Sequence, residues 1–358
     1  MENRPDTQSK APPSASTPSL GARVAKGAGW IVAARVAVRF LGFFNTIIVA
    51  RLLAPEDFGI VAIGVTAMQL LQGFSDIGVS QAVIRFRDAT TKDLDTLFTL
   101  SAIRGIVVAA LLAAAAPMAA AFYGDPRVFW VFIGVSLFPL LTGLINPRFY
   151  EFERDLDFSR EFIVSTLNKL AGVGVSVTIA LLYRSYAAII FGLIAGAAVQ
   201  LALSYVFRPY RPRASLDSLD KVFGFAGWLT GVSFVTALNN KIDALIVARL
   251  AGADDAGKYY VGVQISELPS HEVAGPVARA IYPGFSSLDA QADRMKSAYL
   301  SGVEALALIA LPAAFGFSFL AEDLVRLLIG EKWEGAGPVI AFLAPVMGVQ
   351  TLFAATQF

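Results

Sequence analysis

The chain has 358 residues, of which 56% are hydrophobic and only 16% charged, with no Cys, one His and a net charge of +1. Soluble domains carry about a quarter charged residues, so this composition excludes an ordinary soluble protein. It also excludes disulfide and thiol chemistry, and offers no basic surface for nucleic acid.

Residues 1–22 are polar and rich in Pro and Ser, and read as a disordered tail rather than a signal peptide. From about residue 28 the chain becomes a series of apolar runs of ~20 residues, the length that crosses a bilayer as a helix. Their Ala, Leu and Gly content lacks the alternation of a membrane barrel. Ten spans are predicted: 28–51, 58–83, 97–122, 127–147, 162–183, 185–207, 223–249, 258–284, 299–320 and 336–358. With the N-terminus inside, 16 Lys and Arg fall in inner loops and 7 in outer loops, which predicts a cytoplasmic N-terminus.

The sequence repeats itself at an offset of 198 residues. Gly29-Trp30 returns as Gly227-Trp228, Ile47–Leu52 as Leu245–Leu250, and Asp57 and Gly59 as Asp255 and Gly257. Three blocks in one ungapped register indicate duplication. Six spans separate the copies, so both have the same orientation, as parallel repeats. The expected organisation is all-α integral membrane, two parallel-repeat six-helix lobes, with a first lobe at 23–210, a cytoplasmic linker at 211–222 and a second lobe at 223–358. That lobe holds about four helices, so the chain reads as a piece of a protein with at least twelve spans.

Charges inside a bilayer cost at least ~2.5–3.5 kcal/mol each at its centre, so each one in a span points to a function. Arg35 and Arg39 share a helix face, and Arg104, Lys169 and Arg279 lie towards inner span ends. Arg35, Arg39, Arg104 and Arg279 are the expected lining of a wet cavity, since Arg grips phosphate oxygens in pairs. The alternative is that they snorkel to the interface or pair with Asp76 and loop acids. Glu267 and His271 are one turn apart in a span interrupted by Pro269, Pro276 and Pro283. They are candidates for coupling or gating with Asp76, or else form a satisfied polar cluster. Asp243 corresponds to Asn45 in the other copy, and reads equally as a contact between lobes or a cation site. The duplicated Arg51/Arg249 and Asp57/Asp255 pairs read as structural, and Gly192 and Gly196 as a helix-packing motif within the chain. No Walker A loop and no HExxH are present, and no catalytic constellation is visible. No cofactor or metal is expected, and coupling to protons or sodium is left open.

Residues 50–64 (ARLLAPEDFGIVAIG), 74–85 (FSDIGVSQAVIR), 243–262, 267–288 (ELPS to YPGFSSL) and 327–338 (LLIGEKWEGAGP) follow one another along the chain. In that order, with the duplication, they resemble the polysaccharide-transport, Wzx-like branch of the multidrug/oligosaccharidyl-lipid/polysaccharide exporter superfamily. The resemblance implies two six-helix lobes working by alternating access in the bacterial inner membrane. It implies a lipid-linked oligosaccharide as cargo, carried as undecaprenyl diphosphate, with membrane lipids and other polysaccharide-assembly proteins as partners. A cation or drug antiporter of the same superfamily and a membrane glycan polymerase are the competing expectations.

Overall fold

In apolar surroundings a backbone can satisfy its N–H and C=O groups only internally, and long Ala- and Leu-rich runs do so as helices. The computed structural model of the chain describes residues 38–75, 83, 90–155, 158–286 and 292–354, and among them there are helices, turns and no strand. Helix α1 covers 38–52, α2 Pro55–Phe74, α3 Thr91–Tyr123, α4 Arg127–Gly143, α5 Phe158–Tyr183 and α6 Ala187–Phe207. Helix α7, Leu219–Ser286, is broken at Gly252, whose φ of 86° and ψ of 177° no helix accommodates. It is followed by α8 (Ala292–Phe319), α9 (Ala321–Leu328) and α10 (Ala336–Ala354).

The punctuation is local chemistry. Helix α3 starts on a capping box, in which the Thr90 hydroxyl accepts from the Asp93 N–H at 3.3 Å and the Asp93 carboxylate accepts from the Thr90 N–H at 2.9 Å. It stops at Gly124, in the left-handed region at φ 72°. Pro55 opens α2, where its missing N–H is no loss. After α4 the chain turns by 68° into the helical stretch Pro147–Arg154, a turn set by Asn146, whose side chain accepts from the Arg148 N–H.

Among the described residues three helices are long and apolar enough to cross a membrane, namely Thr91–Tyr123, Ser159–Tyr183 and Ala187–Phe207. Two bent pairs bring that to five: Arg127–Gly143 with Pro147–Arg154, and Leu306–Phe319 with Ala321–Leu328. Large apolar side chains such as Met118, Trp130 and Leu182 face outwards, as lipid contact demands.

Neighbouring helices pair as antiparallel hairpins, α3 with α4 and α5 with α6. Small residues set how closely they approach: in α5–α6, Gly192 lies against Ser176 and the Gly172 carbonyl, and Gly196 against Asn168. The packing motif at Gly192 and Gly196 is thus used within the chain.

The duplicated segments meet one another. Helix α2 has α7 as its principal partner. A Cβ built on Gly59 would lie 1.8 Å from the Ala253 carbonyl oxygen, and one on Gly257 would lie 1.8 Å from that of Pro55. These two contacts map onto each other under the 198-residue offset, so equivalent backbones touch reciprocally. Only glycine permits that approach.

Two apolar cores flank this contact. One gathers Val49, Ala50, Leu53 and Phe58 with Val261, Ile265, Val325, Ile329, Trp333 and Ile340. The other joins α2, α3 and α4 with Ala248 and Ala256 of α7.

Of the linker expected at 211–222, residues 211–218 lie along the start of α3 and 219–222 are already part of α7. Tyr210 donates to the Asp95 carboxylate, the Ser215 N–H donates to Thr99 Oγ1 at 3.0 Å, and the Ser218 N–H donates to Thr96 Oγ1 at 3.3 Å. Burial and then the Asp95 hydrogen bond push the Tyr210 hydroxyl above its ordinary pKa.

Candidate functional site

Helix α1 presents Arg39, Gly42, Phe43, Thr46 and Ile47 on one face, spaced by three and four residues. This face lines a cavity of about 360 Å³, which Lys169 of α5 and Gln264, Glu267 and Leu268 of α7 complete. Helices α1 and α5 thus supply one wall and α7 the other. Ile47, Ile265 and Ile329 also line it, on the side towards the apolar core.

Lys169 reaches from α5 across to α1. A Cβ on Gly42 would come 3.1 Å from its Cε and 3.2 Å from its Nζ, so the ammonium occupies the space that Gly42 leaves open. Among the described residues no carboxylate lies within 4.0 Å of that ammonium. Thr46 Oγ1 donates to Gln264 Oε1 at 3.4 Å, linking α1 to α7 across the cavity.

A second cavity, of about 280 Å³, also has Val38 and Lys169 in its lining, with Tyr150, Glu153, Glu161, Asn168 and Gln200. Asn168 Nδ2 donates to Gln200 Oε1 at 3.0 Å along its α5–α6 wall. Lys169 is therefore common to both cavities.

Of the residues singled out in the sequence, Arg39 and Glu267 come together in the larger cavity. Arg104 sits half-buried on α3 and is not part of either lining. Arg35 and Asp76 lie outside the described residues. His271 and Arg279 fall on α7, with their side chains outside them. Asp243 accepts from the Tyr259 hydroxyl, a bridge across the break in α7.

Reading charge alone missed the uncharged polar members of the site, Thr46, Gln264, Asn168 and Gln200. Their signal was present, because each is a hydrogen-bonding side chain within a predominantly apolar span. It also placed Lys169 in the membrane without assigning it to the cavity.

Chemically, the larger cavity offers two cations, one carboxylate, one hydroxyl and one amide, and the second cavity adds the Asn168 and Gln200 amides beside the shared Lys169. Its apolar walls strengthen each charge relative to water. It is suited to holding a multiply charged oxyanion attached to hydroxyl-rich groups.

At the opposite end of α1 the polar groups are spent on structure. Arg51 Nε donates to the Leu328 carbonyl at 2.8 Å, and its Nη2 to that of Leu327 at 2.5 Å. The equivalent Arg249 stacks on the Phe122 ring, 4.9 Å from its centroid. Asp57 accepts from the Ala54 N–H at the start of α2. Arg127 pairs with Asp125 at 2.7 Å and with Glu56, and its hydrogen bonds to Asp125 hold that carboxyl below its ordinary pKa.

Residues 48–338 match the model of a family described as "Polysaccharide biosynthesis protein". The chain is similar to the lipopolysaccharide biosynthesis protein WzxC of Escherichia coli, 25% identical over 336 residues, covering 92% of this chain and 68% of that protein. It is equally similar, at 25%, to the succinoglycan biosynthesis transport protein ExoT of Rhizobium meliloti, covering 94% and 68%. Its fold matches a solved structure described as lipid II flippase MurJ in an inward closed conformation. That match has a TM-score of 0.67 and 12% identity over 91% of this chain and 76% of that one.

Proposed function

We propose, from the premise that the chain belongs to the polysaccharide biosynthesis protein family, that it moves a lipid-linked oligosaccharide across the bacterial cytoplasmic membrane by alternating access. The cargo is an undecaprenyl-diphosphate-linked unit of O-antigen, capsule or exopolysaccharide. One observation carries the reading: Arg39 and Lys169 face a single chamber walled by α1, α5 and α7 and sealed at one end by an apolar core. In this proposal the two cations hold the diphosphate, while Thr46 and Gln264 in the same chamber, and Asn168 and Gln200 in the second cavity beside Lys169, offer hydrogen bonds to the sugars. The ten spans, the two lobes and the cytoplasmic N-terminus belong to the same reading, with the chamber open to the inside. Glu267 is the residue through which a proton or sodium ion would be coupled.

The names of the relatives support this assignment, as do the match to a flippase fold and the polarity of the chamber. The test is complementation of a strain lacking its own oligosaccharide flippase. Arg39→Ala and Lys169→Ala are each expected to lower surface glycan about tenfold or more at normal expression, the worth of a charge-assisted hydrogen bond. Full glycan in both variants would reject the reading. If Glu267→Gln abolished export of a cationic drug while glycan transfer persisted, a cation antiporter would be favoured instead.

A further inference from the structure

The segment LLIGEKWEGAGP (327–338) stands in the sequence as a family match without a task. Its geometry supplies one. A helix leaves its last four carbonyls without partners inside the helix, and these must find donors elsewhere. At the end of α1, Trp333 Nε1 donates to the Ala50 carbonyl at 2.9 Å. Lys332 Nζ donates to those of Arg51 at 3.0 Å and Leu53 at 2.5 Å. At the end of α9, the orphan carbonyls of Leu327 and Leu328 are taken by Arg51. Each helix terminus is therefore capped by a side chain from beside the other, and every donor but the indole is a cation, as the C-terminal end of a helix dipole favours.

The Trp333 ring is fully buried and meets Phe58 edge-on, 5.1 Å between centroids, next to the glycine contact of α2 and α7. The Arg51 bonds and the Lys332 bond to Arg51 are exposed and the indole bond is buried, so water can replace the cationic donors first and the indole last, which makes the arrangement releasable.

We propose that Arg51 and the Lys332–Trp333 pair form a reciprocal helix-cap clasp that shuts this end of the molecule and sets the ratio of its two access states. The proposal rests on the alternating-access reading, but concerns the gate and not the cargo.

The test uses the absence of native cysteine. Spin labels at Ala54→Cys and Glu331→Cys, two exposed positions flanking the clasp, report its width in the full chain in lipid nanodiscs by electron double resonance. The unsubstituted clasp is expected to give mainly the short distance. Arg51→Met with Lys332→Met should raise the long-distance fraction at least fivefold. Trp333→Phe keeps the ring and loses the donor, and should raise it less. Lys332→Met alone, at an exposed side chain, provides the same readout if the double variant does not fold. An unchanged distance distribution in folded Lys332→Met and Trp333→Phe would overturn the proposal. The measurement contains no glycolipid, so a widened clasp in a protein that moves no glycan would count against the cargo reading alone.

Discussion

The two halves of α1 stand in opposite surroundings. Over residues 38–47 one face of the helix borders open space and presents Arg39, the gap at Gly42 and Thr46. Over residues 49–53 Val49, Ala50 and Leu53 are 1%, 0% and 1% exposed, and even the backbone carbonyls have donors from another helix. One half borders an open cavity and the other is packed shut around Ala50 and Leu53. The difference shows how an apolar protein can be rigid at one depth and accommodating at another without a change of fold.

The largest expected effect attacks the closed end. Gly59→Val or Gly257→Val places carbon where a carbonyl oxygen stands, and each should lower stability by about 3 kcal/mol, the upper range for overpacking. Thermal unfolding in detergent would measure it. Equal losses at the two sites would sharpen the case that the copies meet as equivalents, and a mild effect at either would break it.

Next comes the open half. Gly42→Val is expected to displace the Lys169 ammonium and reduce glycan export several-fold while changing unfolding by less than about 1 kcal/mol, because the far end of a lysine moves easily. Complementation and a melting curve on the same variant separate the two effects. Smaller again is Tyr210→Phe, which removes one buried hydrogen bond to Asp95 and should cost about 1 kcal/mol.

The smallest effect depends on pH. The Arg127 hydrogen bonds depress the Asp125 carboxyl, so its stabilisation is complete above the unfolded value of about 3.9 and fades as pH falls through the lower folded value. Asp125→Asn should cost under about 1 kcal/mol at pH 7, with the loss shrinking in acid, as denaturation at pH 7 and pH 3 would show.

Much of the helical order was legible, because apolar runs and their breaks mark spans regardless of what packs on them. The predicted spans 223–249 and 258–284 fall on either side of Gly252 in α7, and 185–207 matches α6 within two residues. The connection between the predicted spans 127–147 and 162–183 holds helical turns, with Glu151 and Phe152 buried, which its charged sequence did not reveal. Its charges are paired instead of solvated: Arg208 reaches Glu151 at 3.2 Å and Asp155 at 2.7 Å.

The site was only half legible, for a physical reason. Helix α5 does not gather its apolar residues on one face, so periodicity cannot reveal which way Lys169 turns. The duplication could be seen in the sequence, but which faces of the copies meet could not. Matching blocks alone do not fix a contact, which follows from the shapes at Gly59 and Gly257.

The fastening of residues 210–218 to the first turns of α3 has a mechanical consequence. A free tether of that length would absorb a tilt of one half against the other as slack. Here Tyr210, Ser215 and Ser218 leave almost no slack, and the leash is effectively as short as the step from Ser218 to the start of α7. Any swing of α7 would therefore pull directly on the base of α3.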